Sequence, residues 1–196
     1  MAAPITDSKA ALRAEIRAAR DALPAETRSD LSARISERVL ELDAWRDAGC
    51  VLLYLSFGGE FDTAQLVADA LARGKQLCLP RVNRDRNHLE IHQVRDLAHE
   101  TAPGAFGIRE PLAACPRADI RKIDFVLVPG VAFTPRGDRL GYGRGYYDRL
   151  IREHGYCRPL LVAAAFALQI REQIPTGDSD QRVDWVITEQ ALYRAG

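Results

Sequence analysis

Nothing in these 196 residues approaches the roughly 18 consecutive apolar side chains that a bilayer-spanning helix needs, and the opening MAAPITDSKAALRAEIR lacks the hydrophobic centre of a secretion signal. A cytoplasmic location is therefore expected. Surplus charge is missing too: lysine and arginine together number 27, as do aspartate and glutamate, so no global field favours nucleic acid or a membrane surface. Any anion site must be local. Cysteine is sparse and scattered, at Cys50, Cys78, Cys115 and Cys157 with no CxxC pair, which reads as reduced thiols rather than a disulfide framework or zinc site. The histidines, His88, His92, His99 and His154, fall in no triad or metal-ligand spacing and are expected to be surface or structural residues. There is no internal repeat, no low-complexity tract and no GxxxxGK[ST]; GYGRG at 141–145 also misses the GxGxxG spacing. A P-loop kinase and a dinucleotide dehydrogenase are excluded on those grounds.

What is present is a globular composition, 47% hydrophobic and 28% charged. Residues 8–23 place Leu12, Ile16, Ala19 and Leu23 on one helical stripe, with Thr6, Asp7 or Ser8 available as a cap. Pro24 opens a second helix with Leu31, Ile35, Val39 and Leu42 in register. CVLLYLS, QLCLPRV, DFVLVPGVAF, PLLVAAAF and VDWVIT read as strands, DTAQLVADALARG as a helix stopped by Gly74, and the alternating HLEIHQV as a more exposed strand. A further helix is expected from about Gly145 to His154, and TAPGAFGIREPLAACPRAD is the longest irregular stretch. The alternation predicts one three-layer α/β domain over 1–196: a largely parallel central sheet with helices on both faces, and an N-terminal helical pair (about 8–45) packed on the sheet.

The stretch RGDRLGYGRGYYDR at 136–149 follows an apolar strand. A glycine-rich turn into a helix directs backbone N–H groups and the helix dipole at one point, which suits phosphate. Gly141, Gly143 and Gly145 permit close approach and positive φ, Arg139 and Arg144 offer planar donors, and Asp148 is placed to hold Mg²⁺ against the same phosphates. The alternative is a tight connection with no ligand.

VLVPGVAFTPRGDRLGYGRGYYDRL resembles the signature of the 5-formyltetrahydrofolate cyclo-ligase (methenyltetrahydrofolate synthetase) family, G-x-R-L-G-x-G-x-G-Y-Y-D. The likeness extends to KAALR, YLSFGGEFDT, GKQLCLPRV, FGIREP and D-x-x-VDWVIT, in the family's order along nearly the whole chain. It implies an ATP-dependent conversion of 5-formyltetrahydrofolate to 5,10-methenyltetrahydrofolate: phosphorylation of the formyl oxygen, attack by N10, and release of ADP and phosphate. Mg²⁺ is the implied cofactor, ATP the co-substrate, and a monomer is expected.

The resemblance also implies roles. Lys9, Arg13, Arg139 and the loop Gly141, Tyr142, Gly143, Arg144, Gly145, Tyr146, Tyr147 and Asp148 match ATP contacts, with Arg139, Arg144 and Tyr147 as the catalytic set. Arg17 continues the Lys9 and Arg13 stripe without a matched role. Leu55, Glu60, Phe106, Tyr142, Gly143, Arg144, Gly145 and Tyr146 match the folate side, where the Glu60 carboxylate accepts from the pterin's amino and ring N–H groups. Either Tyr146 or Tyr147 stacks on or bonds to the substrate, the other facing the core. Asp148 and Asp180 match the magnesium positions, with Asp178 and Asp184 as alternatives to Asp180. The family often has histidine where Ser179 stands. Two other classes compete: a sugar-phosphate isomerase, which needs an anion site but no ATP, and a non-catalytic folate- or nucleotide-binding module.

Overall fold

Val51, Leu53, Leu77, Leu79, Phe125 and Leu127 are buried in one apolar cluster, while the residues between them, Leu52, Cys78 and Val126, are buried in another. Successive strand side chains point to opposite faces, so these strands are covered on both sides. The structure, a computed structural model, describes residues 5–104, 107–153 and 159–195. In chain order its elements are α1 (Ile5–Asp21), α2 (Ala25–Leu40), α3 (Asp43–Asp47), β1 (Cys50–Leu52), α4 (Ala64–Ala72), β2 (Gln76–Asn83), β3 (His88–Gln93), α5 (Leu97–Glu100), β4 (Thr101–Pro103), β5 (Arg109–Pro111), β6 (Phe125–Leu127), β7 (Ala132–Phe133), β8 (Arg139–Leu140), α6 (Tyr146–Glu153), β9 (Leu160–Ala164), β10 (Trp185–Ile187) and β11 (Leu192–Arg194).

Seven strands form the main sheet in the order β11-β10-β9-β6-β1-β2-β3. The five inner strands are parallel, and both edge strands, β3 and β11, run antiparallel. On one face Ile35 and Val39 of α2, Trp45 of α3 and Leu66 and Ala70 of α4 enter the core; on the other, Leu150 and Ile151 of α6 do. The expected α/β class with helices on both faces is what the chain adopts. The N-terminal pair divides its work. α2 packs on the sheet, whereas Ile16 of α1 packs with Val131, Ala132 and Leu140 around the β7–β8 hairpin.

Three local expectations change. Helix α1 begins upstream of Thr6, Asp7 and Ser8, which therefore lie inside it instead of capping it, and it stops at Asp21, ahead of Pro24. The apolar run 124–133 is not one strand: it breaks after Leu127, where Pro129 removes a ladder donor, and resumes as β7 paired with β8. The glycine-rich stretch thus leaves a hairpin, not the central strand itself. Within the long segment 101–119, β4 and β5 pair as a short hairpin. The last helix ends at Glu153; His154 lies outside the described residues, as does Cys157, while Cys50, Cys78 and Cys115 are buried free thiols.

The β7–β8 turn depends on Gly137. Its φ of 82° lies in the left-handed region, and a Cβ there would stand 2.2 Å from the Val183 carbonyl oxygen. Conformational strain plus a backbone clash makes Gly137→Ala cost about 3 kcal/mol, read as a fall of roughly 6–12 °C in thermal midpoint. A fall under about 2 °C in a calorimetric scan would show that the turn relaxes freely.

Candidate functional site

From β1 the chain passes to β2 and β3 on one side and then returns to β6, β9 and β10 on the other. The order reverses between β1 and β6, and in such sheets ligands bind where the loops leaving the two strands diverge. The first of those loops carries Glu60; the second carries the hairpin, the glycine-rich loop and the start of α6. Between them lies a cavity of about 340 Å³. Leu79, Pro80, Val82 and Leu89 of β2 and β3 give it an apolar floor; Leu55, Phe57 and Glu60 come from the first loop, and Arg139, Gly141, Tyr142, Arg144, Gly145, Tyr146, Tyr147 and Asp148 from the second. A smaller hollow of about 180 Å³ is lined by Arg139, Thr176, Gly177, Asp180 and Gln181. Arg139 is on the wall of both.

Glu60 is the buried carboxylate of the larger cavity. Its Oε2 accepts from Phe57 N at 3.2 Å and its Oε1 accepts from the Tyr142 hydroxyl, which in turn accepts from Arg20 Nη1 at 3.0 Å. Burial pushes the Glu60 carboxyl above its ordinary value; the Tyr142 and Phe57 bonds and the Arg20 charge oppose the shift without cancelling it. Burial raises Tyr142 as well, and Glu60 adds to the effect. The Phe57 and Tyr142 rings lie 5.7 Å apart at 44°, leaving Phe57 37% exposed at the cavity mouth.

At the phosphate end, Arg139 donates to Pro129 O at 3.2 Å and to Asp148 Oδ1, which also accepts from Gln181 N at 3.1 Å. The Arg139 side chain is 3% exposed, and its Nε is buried with no hydrogen-bond partner. Lys9 donates to Asp180 Oδ2 at 2.5 Å, and Gly177 N to the same oxygen at 2.8 Å. Burial works against ionisation of Asp180, but Lys9 and the Gly177 N–H outweigh it and hold the carboxyl low. Arg13 donates to Gly141 O at 2.8 Å, tying α1 to the loop. Of the three loop glycines, Gly143 and Gly145 have positive φ, 97° and 65°. Gly141 does not: a Cβ there would lie 2.8 Å from Arg139 Nη1 and would press on the guanidinium.

Most residues matched from the sequence therefore converge, in two groups. Lys9 and Asp180 meet beside the smaller hollow, away from the larger one. Leu55, Glu60, Tyr142, Arg144, Gly145 and Tyr146 surround the larger cavity, while Gly143 is not part of its wall and lies against the Arg13 guanidinium. Of the two tyrosines left open, Tyr146 is part of the cavity wall and lies under Arg149 at 5.3 Å, while Tyr147 lines the cavity with its hydroxyl buried and unpartnered. Burial raises the Tyr147 phenol above its ordinary value. Asp184 accepts from Leu161 N at 2.8 Å, a bond between strand-end segments, and only Asp180 of the three aspartates lines the hollow. Phe106 lies outside the described residues; Ile108 and Arg109 of the same loop reach the cavity. Sequence reasoning missed Tyr54, Phe57, Arg20 and the β2 floor. Arg20 had a signal, since Lys9, Arg13, Arg17 and Arg20 recur at i, i+4, i+8 and i+11 on one helix face. Arg17 also lines the larger cavity.

The chain is similar to known proteins along nearly its whole length. The sequence model described as the 5-formyltetrahydrofolate cyclo-ligase family matches residues 5–189. The chain belongs to that family. Among curated cyclo-ligases, that of Mus musculus is 29% identical, with 97% of this chain and 98% of the mouse protein covered. The Saccharomyces cerevisiae cyclo-ligase is 30% identical, over 92% of this chain and 94% of the yeast protein. The solved structure of Aquifex aeolicus 5,10-methenyltetrahydrofolate synthetase superposes with a TM-score of 0.84 at 34% identity, covering 95% and 92% of the two chains. The Mycoplasma pneumoniae synthetase shares the fold, with a TM-score of 0.73 at 22% identity over 92% of this chain and 98% of that one. Membership in the cyclo-ligase family makes the chain an enzyme. Among the described residues no helix is long and apolar enough to cross a membrane.

Proposed function

We propose that the larger cavity holds 5-formyltetrahydrofolate, that the triphosphate of ATP lies along Lys9, Arg13 and Arg139, and that the chain closes the 5,10-methenyl ring. The observation carrying this reading is Arg139, whose buried side chain walls both hollows and whose Nε has no hydrogen-bond partner.

A formamide carbon is a poor electrophile and its oxygen a poor leaving group. Transfer of the γ-phosphoryl group to the formyl oxygen releases ADP and activates the carbon; N10 then attacks, the oxygen departs with the phosphate, and the N10 proton is lost. The protein's task is alignment and charge neutralisation, so no nucleophilic side chain is required. Arg139 and Arg144 provide donors for the phosphoryl oxygens, and Arg13 fixes the loop through Gly141 O. Glu60 orients the pterin through its N–H groups. Tyr147 supplies a buried hydroxyl with no competing partner, free to donate to the reacting oxygen. The apolar floor excludes the water that would intercept the activated carbon.

The donor set suits magnesium. The bonds described for Asp148 fall on Oδ1 and those for Asp180 on Oδ2, so each carboxylate keeps one oxygen clear. Magnesium characteristically takes one or two carboxylates and fills its other positions with phosphate and water. Asp148 and Asp180 would hold it, and when bound it supplies neutralisation of the triphosphate charge. The same reading takes the chain as a single-domain cytoplasmic monomer acting on two small molecules, without nucleic acid or membrane partners; the balance of 27 basic and 27 acidic residues supports only the last of these, since it gives no global field for a polyanion or an anionic surface.

The direct test adds Mg·ATP and 5-formyltetrahydrofolate to purified protein and follows the near-ultraviolet absorbance of the methenyl product. ATP-dependent growth of that band is expected. A folded protein that produces none overturns the assignment, and stabilisation by sugar phosphates but not Mg·ATP in a thermal-shift assay would favour an isomerase.

A further inference from the structure

Arg20 is 3% exposed, yet the described structure gives it no carboxylate within hydrogen-bonding distance; the nearest, Asp21 Oδ1, is 3.9 Å from Nε and belongs to a side chain 56% exposed. A buried guanidinium whose one ion pair is long and reaches a half-exposed partner is costly. Arg20 reaches a second carboxylate through a phenol: Nη1 donates to the Tyr142 hydroxyl, which donates to Glu60 Oε1. Glu60 and Tyr142 line the larger cavity, and Arg20 does not. The chain at Gly59 is threaded tightly here, since a Cβ would lie 2.6 Å from Asp21 Oδ1 and 3.5 Å from Arg20 Nε.

We infer that Arg20 is a positioning residue for folate recognition, acting from behind the cavity wall through Tyr142 to hold Glu60 as an oriented, ionised acceptor; this rests on the folate reading of that cavity. With Arg20 donating to its oxygen, the Tyr142 hydroxyl commits its own proton to Glu60 and has none left for the ligand. The carboxylate then offers acceptor positions only, so the ligand edge it selects must carry adjacent N–H donors, as the amino-pyrimidine edge of a pterin does, and a carbonyl-rich edge is rejected. Beside burial, the groups acting on Glu60 are the Tyr142 hydroxyl and the Phe57 N–H, both neutral donors, and Arg20, so Arg20 is the cation that counters burial there; Tyr54 and Tyr147 nearby are phenols that the Glu60 charge itself raises.

The test compares Arg20→Met, Arg20→Lys, Tyr142→Phe and the Arg20→Met/Tyr142→Phe pair in the full chain. Arg20→Met is expected to raise the KM for 5-formyltetrahydrofolate about tenfold with the KM for Mg·ATP within about twofold, and Arg20→Lys to recover most of the loss. The double variant should be no worse than the poorer single one, because both substitutions cut the same chain. Independently of turnover, ¹³C-carboxyl NMR of the ligand-free protein should show the Glu60 titration midpoint about one pH unit higher in Arg20→Met and restored in Arg20→Lys. An unmoved midpoint, equal losses for both substrates, or additive effects in the double variant would overturn the inference. If the wild-type chain fails to turn over the folate while the midpoint moves as expected, the substrate assignment falls and the positioning role stands. If Arg20→Met does not fold, Arg20→Lys and Tyr142→Phe decide between the same outcomes.

Discussion

Arg139→Ala should lower kcat/KM for ATP by about 10²–10³-fold, the loss typical of removing a preorganised donor aimed at developing charge. The side chain is nearly sealed from water and bonds both Pro129 O and Asp148. Its removal has a second consequence, because Asp148 becomes a largely buried carboxylate whose remaining described donor is Gln181 N. Breaking a buried pair from one side costs about 3–5 kcal/mol, and the lower end applies here since that N–H remains and the Asp148 side chain is 18% exposed. Stability and catalysis separate in the pair Arg139→Ala/Asp148→Asn: neutralising the orphaned carboxylate should restore much of the unfolding midpoint in urea while leaving turnover low. Arg139→Lys restores the charge but not the fork, and its activity should fall between wild type and alanine. Wild-type kinetics in Arg139→Ala would show that the guanidinium only braces the loop.

The layered α/β architecture was legible because continuous apolar runs such as CVLL and PLLVAAA have one physical explanation in a short chain, burial on both faces. The edges were harder. β11 and the β4–β5 hairpin are three residues per strand, too short for periodicity to register, and their pairing is set by tertiary neighbours. The break at Pro129 was visible as a residue but not as an event, since proline is tolerated at strand ends as well as beyond them. At the site, Lys9, Asp180 and Glu60 were reached through resemblance, because a lysine in a cationic helix stripe looks like any solvated face until Gly177 and Asp180 are seen against it. Leu79, Pro80 and Val82 carry no chemical mark at all. They become a pocket floor only because the fold sets them beside the residues of the loops that follow β1 and β6. Arg20 lies between these cases: its helical register with Lys9 was present in the sequence, but its burial was not.

Glu60→Gln should raise the KM for 5-formyltetrahydrofolate by roughly 10–100-fold and leave that for Mg·ATP within about twofold, since hydrogen bonds to a charged partner contribute about 1.5–3 kcal/mol and glutamine presents one acceptor where the carboxylate has two. The reverse ordering would mean that the two pockets have been assigned the wrong ligands. The same substitution makes an opposite claim about stability. Burial raises the Glu60 carboxyl above 4.5 in the folded protein, so its protonated form is the one the fold prefers. That contribution is fully present below the unfolded value and is lost as pH rises through the folded one. Glutamine mimics the neutral form at every pH, so the unfolding midpoint of Glu60→Gln should gain on wild type as pH rises from acid towards neutrality, while folate binding by wild type improves over that interval and the variant's stays flat. A residue that costs stability in the state in which it binds is held there for its charge, and a carboxylate kept only for packing would give stability and affinity profiles that move together.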